Sequence, residues 1–156
     1  DFDELLACAK RVLHERKISR MATAGTVAAA ILTDKGNVYT GVCIETPLEW
    51  ALREHAAVAA MVTAGESKIV KLAATGVDDG GSACAPCGRC REFIDAVHDD
   101  NHLCEVLMED GSITTIGALF HIGCRHSQGF HDGAIQEGNK MKLRNMTSIY
   151  ILREDC

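Results

Sequence analysis

The chain has no surplus of basic residues: 16 Lys and Arg stand against 22 Asp and Glu, a formal charge of −6. A broad basic surface for a phosphate backbone is therefore not expected, and nucleic acid is not an expected partner. Aromatic residues are scarce too, at 4% with a single Trp, so the bases of a single strand would find few rings to stack on. No apolar stretch approaches the ~20 residues that a membrane-spanning helix requires, Val27–Leu32 being among the longest, and no membrane association is expected. The first residues, Asp1-Phe2-Asp3-Glu4, are acidic where a secretory signal is basic and then apolar. The absence of an opening Met suggests a trimmed or renumbered chain, and a cytoplasmic location is expected. There is no internal repeat.

Apolar residues are plentiful instead, 47% of 156, enough for one domain with a substantial core. Cysteine is plentiful as well: Cys8, Cys43, Cys84, Cys87, Cys90, Cys104, Cys124 and Cys156. Eight cysteines suit a disulfide framework in a short secreted chain, but beside a large core and no export signal they read as metal ligands or free buried thiols. Three of them crowd into residues 84–90.

The hydropathy pattern predicts an opening amphipathic helix over 4–16, from Leu5, Leu6, Ala9, Val12 and Leu13. A hairpin follows, with Thr26–Thr33 and Val38–Ile44 joined by Asp34-Lys35-Gly36-Asn37. Glu54–Ala64 reads as a helix stopped by Gly65, and Lys68–Gly76 as a strand. The loop Asp78–Ala85 leads through Pro86-Cys87-Gly88-Arg89-Cys90 into a helix over Arg91–His98, and Cys104–Met108 and Ser112–Thr115 read as two more strands. The order α-β-β-α-β-α-β-β indicates a mixed sheet covered by helices. Residues 1–120 are expected to form this domain and 121–156 a C-terminal extension, in which Gly123–Lys140 reads as a loop and Thr147–Leu152 as one further strand. His121, Cys124, His126 and His131 match the spacing of no standard zinc finger.

Pro86-Cys87-Gly88-Arg89-Cys90 is the element most charged with chemistry. A two-residue spacer lets two sulfurs converge on one ion, and a helix N-terminus favours thiolates. Taken alone it is half a zinc site, a redox dithiol, or two thiols that happen to lie close. His55, in Arg53-Glu54-His55-Ala56-Ala57, supports the first reading. A His-x-Glu element followed at a distance by Pro-Cys-x-x-Cys is a signature of zinc deaminases, where one His and two Cys hold the metal and water takes the fourth place.

On these residues, together with the hairpin ending Thr40-Gly41-Val42-Cys43-Ile44-Glu45 and the run Pro86–Glu92, the chain resembles the cytidine deaminase family over residues 4–120. Within that family it resembles the free-nucleoside branch of cytidine and blasticidin S deaminase-like proteins. The resemblance implies a three-layer α/β/α fold around a five-stranded mixed sheet, one Zn²⁺ per chain, and a homodimer or homotetramer. It implies His55, Cys87 and Cys90 as zinc ligands, and hydrolytic removal of the exocyclic amine from a cytidine-like nucleoside or base. Backbone groups at Ala56 and Cys87 would frame the reacting edge. Two departures accompany it. The proton-shuttling Glu of the family falls on Ala57, whose methyl cannot exchange a proton, so the chain is expected to be nearly inactive, as an engineered variant or a natural pseudoenzyme. Glu54 is expected to precede the helix and point away from the metal. Restoring Glu at position 57 is expected to restore turnover at little cost in folding. The family's Asn-x-Glu, which binds ribose hydroxyls, is here Cys43-Ile44-Glu45. Glu45 can still accept from a sugar, while Cys43 either relaxes sugar recognition or packs at the end of the strand. Trp50 could stack on a base or brace a subunit contact. The rival reading is a zinc-stabilised protein that binds a nucleoside without turnover.

Overall fold

The computed structural model describes residues 1–47, 50, 51 and 53–120. The expectations for residues 121–156, including the strand at 147–152 and the His121–His131 group, lie outside the described residues.

Helix α1 spans Phe2–Val12 and starts in a capping box: the Asp1 carboxylate accepts from the Glu4 N–H while Glu4 reaches back to the Asp1 amine. It begins two residues earlier and ends four earlier than the hydropathy pattern predicts, because Leu13 leaves the helix in extended backbone. Strands β1 (Arg16–Lys17) and β2 (Thr23–Thr33) follow, then β3 (Val38–Glu45), β4 (Trp50–Ala51) and helix α2 (Arg53–Thr63). Strand β5 (Ile69–Gly76), helix α3 (Gly88–Val97), β6 (Glu105–Leu107) and β7 (Ile113–Thr115) follow among the described residues. Six strands run β4-β3-β2-β5-β6-β7, and β1 pairs with β2. The five expected strands are all present; β1 and β4, two residues each, are additions too short to carry a hydropathy signal. Among the described residues only β5 and β6 pair in parallel, across the α3 crossover.

Strand alternation sorts the layers. Ala30 of β2 and Ala73 of β5 meet Leu5 and Ala9 of α1 on one face. Their neighbours Ala29, Ile31, Leu72 and Ala74 meet Ala57, Val58 and Met61 of α2 and Ile94 of α3 on the other. This is the three-layer α/β/α arrangement of a mixed sheet between helices. Two close approaches fix where the site can form. A Cβ added to Gly41 of β3 would lie 2.4 Å from the Ala57 nitrogen and 2.6 Å from the Arg53 carbonyl oxygen, so the first turn of α2 rests directly on β3. Gly25 has φ +81°, and a Cβ there would meet the His14 carbonyl at 2.0 Å; the register of β2 against β3 shifts between Ala24 and Ala28. At the far end Asn101 secures α3 to β5: its Oδ1 accepts from Ile69 N–H, and its amide donates to the Ser67 and Ile94 carbonyls.

Candidate active site

The start of α3 is held at three points. Cys84 N–H donates to the Ala74 carbonyl at 2.8 Å, Arg53 donates to the Ala85 carbonyl at 3.2 Å, and Arg91 donates to the Pro86 carbonyl at 2.8 Å and the Leu119 carbonyl at 2.9 Å. Pro86-Cys87 then turns into the helix, with Cys87 at its N-cap and exposed, and Cys90 one turn on and fully buried. The two sulfurs lie 3.3 Å apart.

The third member of this cluster is Glu54. It lies inside α2, 1% exposed, and Cys90 donates to its Oε2 at 3.1 Å. Its other oxygen pairs with Arg53 Nε at 3.1 Å. The expectation that Glu54 precedes the helix and points away is thereby corrected: α2 starts one residue earlier than predicted, and the 3.6-residue period turns Glu54 inward with Val58 and Met61. Thiol, thiol, carboxylate and guanidinium thus follow one another, with Cys90 and Glu54 buried between an exposed Cys87 and a half-buried Arg53. Burial pushes the Cys90 thiol well above the ordinary range, and the adjacent Glu54 carboxylate adds to that rise, so it is a proton donor at neutral pH. Burial likewise raises Cys84 to about 12, against the pull of the Arg53 charge. For Arg53 itself burial is the largest influence and opposes the charge, but Glu54 with Cys84, Cys90 and Cys87 together outweigh it and the guanidinium stays ionised.

The other residues expected at the site are placed differently. His55 stacks on Phe93, ring centroids 4.0 Å apart, and with Gly88, Arg89, Glu92 and Ala96 lines an open groove of about 580 Å³. Those α3 residues lie on a different side of the helix from buried Cys90 and Ile94. Ala56 is exposed, and Ala57 is fully buried among Ala29, Ile31, Val58 and Leu72. A glutamate at position 57 would enter the apolar core, so the expectation that this change leaves folding nearly untouched is also corrected. Among the described residues, no group of three or more His, Cys, Asp and Glu is arranged to hold a metal ion. The donor set at α3 is two sulfurs and a carboxylate already engaged by a guanidinium, with His55 turned to Phe93; as arranged it does not fit a tetrahedral zinc centre.

At the end of β3, Cys43 and Glu45 share one side with Thr26 of the bulge in β2. Thr26 Oγ1 donates to Glu45 Oε1, lies 2.8 Å from Cys43 Sγ, and the Val27 N–H donates to that sulfur at 3.3 Å. Cys43 is 7% exposed and knitted into the strand pair, and Glu45 is only partly buried. Sequence reasoning missed Thr26; the interior glycine one residue before it, a common mark of a strand bulge, was the available signal. Trp50 pairs through its backbone with Glu45.

No family model and no curated relative matches the chain. Solved structures do. Cytidine deaminase from Mycobacterium tuberculosis is 27% identical, with a TM-score of 0.62 over 76% of this chain and 93% of that one. The cytidine deaminase from Mycobacterium leprae is 20% identical, with a TM-score of 0.63 over 77% of this chain and 97% of that one. That from Bacillus anthracis is 14% identical, with a TM-score of 0.56 over 94% and 95%. The fold of the chain is the fold of these proteins.

Proposed function

We propose that the chain is a protein of cytidine deaminase descent that binds a cytidine-like aminopyrimidine nucleoside and does not deaminate it. The observation that carries this reading is the buried Glu54 carboxylate on Cys90, at the start of α2 and beside the start of α3. Glu54 is read as the glutamate of the His-x-Glu element, in place of position 57. The first ligand position of that element then falls on residue 52, which is Leu, and an alkyl side chain donates no electron pair to a metal. The chain thus keeps a carboxylate suited to the amino and ring-nitrogen edge of an aminopyrimidine, and lacks a full set of zinc ligands. Glu45 supports the sugar end of the same reading, as an acceptor for a ribose hydroxyl. Assembly as a homodimer or homotetramer belongs to this proposal.

Calorimetric titration of the full chain with cytidine, 2′-deoxycytidine and uridine, with ammonia assayed in the same samples with and without added Zn²⁺, tests the proposal. Binding of the two amino nucleosides over uridine, with no ammonia above background, is the expected result. Enzyme-like ammonia release with Zn²⁺ would return the site to His55, Cys87 and Cys90 as ligands; absence of binding to all three would end the nucleoside reading.

A further inference from the structure

We propose that the nucleoside bound by this chain carries an anionic group, a phosphate or a carboxylate, at the 5′ end of its sugar, with Lys17 as the counter-charge. The inference rests on the nucleoside reading above and deepens it. Sheet register brings the residues together. Lys17 of β1 pairs with Thr23 of β2, and Thr23 pairs in turn with Glu45 of β3. Directly opposed residues of antiparallel strands share a face, so Lys17, Thr23 and Glu45 stand in one row, Lys17 two strands, or ~10 Å, from Glu45. That face is the one α2 covers, because Gly41, on which α2 rests, lies on the same side of β3 as Cys43 and Glu45. Arg16, one residue earlier, pairs with Ala24 and through it with Ile44, and belongs to the opposite face.

Charge fits this row to such a ligand. From Lys10 to Met21 the chain carries five cationic residues and one acid, Glu15, in a molecule whose formal charge is −6. Lys17 is exposed and, among the described residues, has no hydrogen bond or ion pair. Thr26 already donates to one Glu45 oxygen, which leaves the other to accept from a ribose hydroxyl. With the 2′–3′ edge of the sugar turned to Glu45, the 5′ substituent is the group left to reach along the row. An anion there is repelled by the Glu45 carboxylate unless a cation stands close. Lys17, a point charge on a flexible four-carbon stem, is that cation.

Calorimetric titration of the full chain with cytidine, cytidine 5′-monophosphate and cytidine 5′-carboxylate, at low and at high salt, tests the proposal. At low salt at least one of the two anions is expected to bind about 5- to 10-fold more tightly than cytidine, and the tighter of them names the group. The gain is expected to shrink at high salt. Lys17→Ala is expected to abolish the gain while shifting cytidine affinity less than about twofold. Arg16→Ala, which removes an equal charge from the opposite face, is expected to keep it. Cytidine bound as tightly as both anions would overturn the proposal and leave the nucleoside reading standing. So would a gain that survives Lys17→Ala, or one lost equally in Arg16→Ala, which reports net charge alone. Absence of binding to all three compounds would end the nucleoside reading and this inference with it.

Discussion

Two cysteine–glutamate pairs sit on this fold, and their surroundings make them different chemical objects. At the end of β3, Cys43 and Glu45 are two residues apart on one strand, and the Thr26 hydroxyl satisfies the carboxylate while Glu45 remains partly open to solvent. Between α2 and α3, Cys90 and Glu54 come from distant parts of the chain, and the carboxylate is closed off with a thiol and a guanidinium as its partners. The first pair keeps a solvated acceptor, suited to recognition. The second holds a thiol hydrogen bond to a carboxylate, both closed to solvent. Identical residue types acquire these separate capacities from burial and from the third partner, hydroxyl in one case and guanidinium in the other.

The contrast can be broken most forcefully through Ala57→Glu, which places a second carboxylate one turn from Glu54 but in the apolar core. A loss of about 4 kcal/mol or more, or failure to fold, is expected in urea denaturation. A stable variant that releases ammonia from cytidine would instead put the catalytic glutamate at position 57. Glu54→Ala comes next: it strips Arg53, 18% exposed, of its buried counter-charge and is expected to cost about 3–5 kcal/mol in the same assay. Glu54→Gln should cost less than Glu54→Ala, because the amide oxygen can still accept from Cys90.

At the other pair the effects are smaller. Thr26→Val leaves Glu45 and Cys43 without their shared hydroxyl, for an expected loss of about 1 kcal/mol by thermal or urea unfolding. Cys43→Asn should strengthen cytidine relative to sugar-modified analogues by about 1–3 kcal/mol in titration calorimetry; an unchanged ratio would make position 43 structural only. The smallest expected effect concerns a third carboxylate. Glu66 is held below the ordinary carboxylate range by the Thr33 and Tyr39 hydroxyls first, and by Asn37. Its contribution is therefore complete above about pH 4.5, the usual carboxylate value, and is lost as pH falls from there through the depressed folded value. The difference in melting temperature between wild type and Glu66→Gln should shrink over that acid range and stay constant above it.

Much of the fold was legible in the chain. The short apolar runs of β2 and β5, the turn Asp34–Asn37 and the helix-opening Pro86 announced the strand and helix order, because each depends on neighbours in sequence. The cysteine pair of α3 was legible for the same reason. The site around it was less so. Reading the motif by spacing placed the shuttle carboxylate at Ala57, whereas the structure sets Ala57 in the core and Glu54 on Cys90; a three-residue ambiguity in register spans almost one helical turn, so both positions face the sheet side.

By itself, then, the sequence determined a helix-covered mixed sheet, a Pro-Cys-Gly-Arg-Cys helix start, and a Cys43-Ile44-Glu45 strand end. These follow from periodicity, capping and turn chemistry that act over a few residues. Only the tertiary structure decided which acid meets which thiol. That depends on Gly41 letting α2 settle onto β3 and on the glycine bulge at Gly25 presenting Thr26 to Glu45, contacts between segments far apart in the chain that no local pattern encodes.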